Sequence, residues 1–143
     1  MRSSSYEQLV IDLLKKNKID FKREQTFEGL KGFKADLRFD FVIYNQDGTI
    51  KYFLEVNGIQ HYKEIPAWGG KRGLQKRLEY DRKKMAYALA HNIPMICLPY
   101  WDINSSLTYD KLISNSDYKV KTIWHTDNII KRGVKWEQLS LPF

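Results

Sequence analysis

The chain has 143 residues and a formal net charge of +7, with 43% hydrophobic and 14% aromatic residues. That is enough apolar material for one buried core and too much for a disordered chain. One cysteine and three scattered histidines (61, 91, 125) exclude an intrachain disulfide and a structural zinc site. No run approaches the roughly 18 apolar residues of a membrane span, and the first residues are too charged for a signal peptide, so a soluble intracellular protein is expected.

Ser4 to Glu7 has the form of a capping box. Tyr6, Leu9, Val10, Leu13 and Leu14 then follow at helical spacing, which predicts a first helix ending near Lys16. Residues 19–27 alternate apolar and polar and read as a first strand, broken by the glycines of 28–32. Residues 37–44 and 49–56 are rich in aromatic and β-branched side chains. Asp47-Gly48 between them is a strong hairpin signal.

Residues 57–73 hold four glycines and Pro66 and show no sustained period, so they read as a loop. In it, Tyr62 and Trp68 suit either base stacking or packing of the loop onto the core. A second helix follows over 74–91, with Leu74, Leu78, Met85 and Leu89 on one stripe and Asp81 falling on the same stripe. At helical spacing Asp81 pairs with Arg77 or Lys84. The apolar run 93–98 is of strand length, ends at Pro99 and holds Cys97, expected to be a buried inert thiol. After a crossover helix this strand should lie parallel to the third. Beyond Tyr100 a short helix over 105–113 and a strand or helix over 118–125 are expected, with Trp124 and Trp136 packing the tail onto the core. The whole reads as one mixed α/β domain over 1–143, with an αβββαβ core over 4–102 and a C-terminal extension over 103–143.

The positive charge is concentrated. Between residues 71 and 84, Lys71, Arg72, Lys76, Arg77, Arg82, Lys83 and Lys84 face only Glu79 and Asp81. Without a bulky apolar face, such a cluster suits nucleic acid rather than a membrane surface, or is simply a solvated helix face.

The hairpin carries the sharpest chemical signal. If Asp47 and Gly48 are its two loop residues, Val42 faces Phe53 and Asp40 faces Glu55, with Arg38, Asp40, Glu55 and Asn57 on one face. Two carboxylates side by side repel by about 4 kcal/mol at an effective dielectric of about 20. A proton, a cationic side chain or a divalent ion must compensate them. Two carboxylates with room for water and phosphate oxygens suit Mg²⁺. The plain alternative is a solvent-facing polar sheet face.

RFDFVIYNQDGTIKYFLEVNGIQHY and YDRKKMAYALAHNIPMICLPYWD, in an αβββαβ order, resemble the PD-(D/E)XK nuclease superfamily, and more narrowly its small Vsr-like and phage-type endonucleases. The resemblance covers residues 4–102. It implies a restriction-endonuclease-like fold and hydrolysis of DNA phosphodiesters with Mg²⁺ or Mn²⁺, in the cytoplasm of a bacterial or phage-infected cell. Asp40, Glu55 and the Val56 carbonyl would hold the metal, with Glu7 joining as a ligand or water-binding acid. Asn57 occupies the position that the superfamily gives to lysine, which points to Gln60, His61 or Lys84 for the missing role. Glu7 also suits the capping box alone, and Gln60 and His61 suit hydrogen bonds within their loop. Arg38 and the basic residues of 71–83 would contact DNA. A monomer would nick one strand and a homodimer would cut both; no organic cofactor is expected. The competing reading is an inactive nucleic-acid-binding protein on the same fold.

Overall fold

Ser4 caps the first helix in the expected way: its hydroxyl accepts the Glu7 amide, and the Glu7 carboxylate accepts the Ser4 amide. The computed structural model describes residues 4–133. It shows a mixed α+β domain in the order α1 (Ser5–Lys16), β1 (Phe21–Lys31), β2 (Asp36–Tyr44), β3 (Ile50–Asn57), α2 (Gly70–Ala90), β4 (Met95–Pro99), α3 (Tyr109–Ser114) and α4 (His125–Lys131). The sheet order is β1-β2-β3-β4, antiparallel except for the parallel β3–β4 pair that the α2 crossover predicts. Trp136 lies outside the described residues.

Both faces of the sheet are covered. Val10, Ile11 and Leu14 of α1 pack on Phe41, Ile43, Leu54, Val56, Ile96 and Leu98. On the other face Met85 and Ala88 of α2 pack on Phe39, Val42, Phe53 and Cys97. There the Phe39 and Phe53 rings stack with centroids 3.8 Å apart, a contact worth about 0.5–1.5 kcal/mol beyond its buried area. Cys97 is buried, as its apolar surroundings predict.

The hairpin register inside the sheet is the one the sequence predicts: Phe41 pairs with Leu54, Val42 with Phe53 and Ile43 with Tyr52. Its turn differs. Only Gly48 takes a positive φ (+88°), and the Gly48 amide donates to the Asn45 carbonyl while Asn45 and Thr49 pair. A two-residue type I′ loop needs both central residues left-handed. Asp47 stays out of that region, and the register shift beyond Ile43 absorbs the extra residue.

Other boundaries move for local reasons. β1 does not break at 28–32 but runs to Lys31, because its register shifts between Thr26 and Lys31. Residues 57–73 are not a plain loop: 3-10 turns occupy Ile59–His61 and Pro66–Trp68, and α2 starts at Gly70, four residues before the predicted point. Gly73 makes this early start possible, since a Cβ there would lie 2.0 Å from the Trp68 carbonyl oxygen. On α2 the buried positions are Asp81, Met85 and Ala88, while Leu89 is exposed. The helix predicted over 105–113 is confined to α3. Residues 118–125 form neither a strand nor a single helix: a 3-10 turn over Ser116–Tyr118 leads to an isolated bridge between Lys119 and Ile96 that covers the free edge of β4, and then to α4. Trp124 is 50% exposed and lies under the Arg82 guanidinium at 5.0 Å instead of joining the core.

Candidate functional site

Asp40 is where the sheet departs from regular geometry. On the β1 side the ladder pairs Arg23 with Phe41 and Gln25 with Phe39. Between them Glu24 has φ +52°, a strained conformation for a residue with a side chain. On the β3 side the Asp40 amide donates to Glu55 Oε2 at 2.6 Å, and the Val56 amide donates to Asp40 Oδ2 at 2.8 Å. Two carboxylates thus take over hydrogen bonds that backbone carbonyls would make, which brings Asp40 and Glu55 together as the register predicts. Such irregularities in a ladder often re-aim side chains beside active sites.

The compensating cation comes from α2. Lys84 Nζ lies 2.5 Å from Glu55 Oε1, with Glu55 2% exposed. Burial pulls the Lys84 ammonium down, but the charges of Glu55 and Asp40 outweigh it and hold its pKa above that of an ordinary lysine. One ammonium does not balance two carboxylates. Burial first, and then the Glu55 charge, raise the Asp40 carboxyl well above its usual value; Lys84 and the Val56 amide offset this only in part.

These groups line a cavity of about 510 Å³. Its wall holds Glu7, Asp40, Glu55, Val56, Gln60, His61, Arg77, Asp81 and Lys84, with Tyr80, Tyr100 and the half-exposed Trp68 around them. Glu7 is held in place: Arg23 Nη2 donates to its Oε2 at 2.7 Å while Oε1 accepts the Ser4 amide. It therefore serves the cap and faces the cavity together. The carboxamide of Gln60 folds back over Gly58.

His61 has a partner the sequence did not disclose. Its Nδ1 lies 2.9 Å from Asp81 Oδ2. Asp81, 5% exposed, is thus engaged across the loop and not with Arg77 or Lys84 along its own helix. A ring nitrogen so engaged fixes the tautomer and leaves the other nitrogen for chemistry. Nε2 of His61 has no hydrogen-bond partner among the described residues.

Several predicted residues lie elsewhere. Arg38 is exposed and Asn57 is buried beside Tyr62, and neither lines the cavity, so the face expected to unite residues 38, 40, 55 and 57 keeps only Asp40 and Glu55. For Arg38 the cause is the irregularity at Asp40: Phe39 and Val42 share one core while Phe41 and Ile43 share the other, so strict alternation fails there; Asn57 stays in register, paired with Pro99, and is buried. Tyr62 packs in the core, 4.8 Å from Trp101 between ring centroids. Lys71, Arg72, Lys76 and Arg77 are exposed on the first half of α2. Lys83 is 3.8 Å from Glu79 on the same helix. Arg82 is committed to Asp127, with Nη2 2.6 Å from Oδ2, and is thereby withdrawn from the basic face.

Among the described residues no three His, Cys, Asp or Glu side chains are grouped closely enough to hold a metal ion by themselves. Nor does any helix among them have the length and apolarity to cross a membrane. No family model, curated protein or solved structure matches the chain.

Proposed function

We propose that the chain is a metal-dependent DNA endonuclease with a PD-(D/E)XK-type core. The observation that carries this reading is the Asp40–Glu55–Lys84 cluster: two adjoining carboxylates from neighbouring strands, with a lysine supplied by α2 where Asn57 departs from the strand motif. One ammonium faces two carboxylates here, and desolvation, then the Glu55 charge, raise the Asp40 carboxyl. Perturbed acids in a cleft mark functional sites.

The donor set fits Mg²⁺ or Mn²⁺. Asp40, Glu55 and the Val56 carbonyl would hold the ion, a set small enough to leave positions for water and phosphate oxygens, as Mg²⁺ requires. When bound there, the ion neutralises charge on the phosphate and makes water a stronger nucleophile. The chain's own residues do the rest. Lys84 pairs with Glu55 and adds positive charge beside the reacting group. His61, oriented by Asp81, exchanges a proton through Nε2. Lys71, Arg72, Lys76 and Arg77 bind the DNA backbone along α2. One site per chain suits nicking, with a homodimer needed for a concerted double-strand cut.

The test is incubation with Mg²⁺ and supercoiled, branched and mismatched DNA, with Asp40→Ala as control. Cleavage by the wild type alone is expected. Equal inertness of both on every substrate, with DNA binding retained, would replace this reading with an inactive binding protein. Lys76→Ala with Arg77→Ala should weaken binding on all sequences and reduce the salt slope by roughly 2, about one per lost phosphate contact.

A further inference from the structure

α4 lies outside the αβββαβ core yet reaches the site through two adjacent residues that meet two adjacent residues of α2. Arg82 grips Asp127 with Nε 3.2 Å from Oδ1 and Nη2 2.6 Å from Oδ2, the paired geometry that makes arginine–carboxylate contacts strong and directional. The same guanidinium covers the Trp124 ring. One position earlier on both helices, Thr126 Oγ1 lies 3.5 Å from Asp81 Oδ2, the oxygen that also engages His61 Nδ1. Thr126 is 1% exposed, so α4 seals Asp81 from solvent.

We propose that α4 belongs to the catalytic apparatus: Thr126 is a positioning residue that, with the Arg82–Asp127 clamp, fixes the Asp81 carboxylate so that His61 carries its proton on Nδ1 and presents Nε2 to the cavity. A carboxylate holding one imidazole alone is free to turn about its terminal torsion. A hydroxyl from a second element restricts that freedom, and exclusion of water strengthens the bond to His61. Around Asp81 stand His61 from the loop, Arg82 and Lys84 on its own helix, and His125 from α4, whose buried Nε2 has no hydrogen-bond partner among the described residues. In this arrangement the Asp81 carboxylate is the acceptor for the Nδ1 proton. The inference rests on the reading of His61 as the proton-transfer group, but its test observes His61 directly.

The full chain is labelled with ¹⁵N-histidine, its His61 signals are identified from the His61→Gln spectrum, and the tautomer of the neutral ring is read by NMR. The wild type and Thr126→Ser should show His61 mainly protonated on Nδ1. Thr126→Val, which keeps the side-chain shape, and Asp127→Ala should shift the population toward Nε2–H, with DNA cleavage by Thr126→Val reduced about tenfold in kcat at unchanged KM, the range seen when an orienting partner is lost. Thermal unfolding is followed in parallel, and if Asp127→Ala does not fold the Val and Ser variants decide alone. An unchanged tautomer in Thr126→Val, or its equal loss in Thr126→Ser, overturns the coupling. A wild type that shows the tautomer pattern and cuts no DNA upholds the coupling and removes the nuclease reading.

Discussion

The two ends of the β2–β3 hairpin each carry an aspartate, and they use it in opposite ways. At the turn, Asp47 is fully exposed and its Oδ1 accepts the Thr49 amide at 2.9 Å and the Thr49 hydroxyl at 2.6 Å. Those bonds favour the charged form and lower its pKa. At the open end, Asp40 is partly buried beside Glu55, and its pKa is raised. The first arrangement stabilises the fold by satisfying local backbone groups. The second costs stability, a cost that the proposed nuclease reading assigns to function. Charge alone therefore does not distinguish the two aspartates; the environment of each does.

The contrast is open to direct attack. The largest effect should come from Lys84→Met, which leaves Glu55 buried with no counter-charge; breaking one side of such a pair costs about 3–5 kcal/mol, measurable by urea unfolding. Next, Asp40→Asn should lower the DNA-nicking rate by about 10²–10³-fold while leaving DNA affinity in Ca²⁺ nearly unchanged. The same variant should be more stable than the wild type at neutral pH without metal, by an amount on the order of 1 kcal/mol, or about 2–4 °C in Tm. The sign follows from the raised pKa. Above its folded value Asp40 is ionised at a cost; that cost shrinks as pH falls below the folded value and is gone below the unfolded value near 3.9, so the two melting curves should converge on acidification. Saturating Mg²⁺ should raise the wild-type Tm and leave Asp40→Asn where it was; at a hundredfold excess over Kd the gain is about 2.7 kcal/mol. The smallest effect belongs to Asp47→Ala, a Tm loss of about 1 °C that is present above the unfolded aspartate pKa near 3.9 and fades as pH falls through the lower folded value. A larger loss at Asp47 than at Lys84 would reverse the assignment of structural and functional ends.

What the sequence disclosed was whatever is encoded within a few residues. The Ser4–Glu7 cap, the Phe41–Leu54 register and the parallel β4 follow from local signals: a capping pair, an alternating pattern near an Asp-Gly turn, and a crossover helix. The facing of Asp40 and Glu55 was legible because a hairpin register is arithmetic. The His61–Asp81 pair was not, because helical phase places Asp81 on the buried stripe but says nothing of which loop residue folds down to meet it. Arg23 to Glu7 and Arg82 to Asp127 are likewise contacts between elements, separated by 16 and 45 residues. Residues 118–125 resisted assignment because their short turns carry no period at all. The single signal that reached across the fold was Asp81 itself, a charged residue on an apolar stripe, which had to find a partner somewhere.

Because the Glu55 carboxylate accepts the Asp40 amide, the acid of the site is also a rung of the sheet. Anything that draws Glu55 aside, whether an ion, a proton or a phosphate, loosens the end of the β2–β3 ladder by one bond. The amide proton of Asp40 is thus a built-in gauge of occupancy. Its chemical shift and exchange rate should report each binding event from inside the scaffold, with no label placed in the cavity.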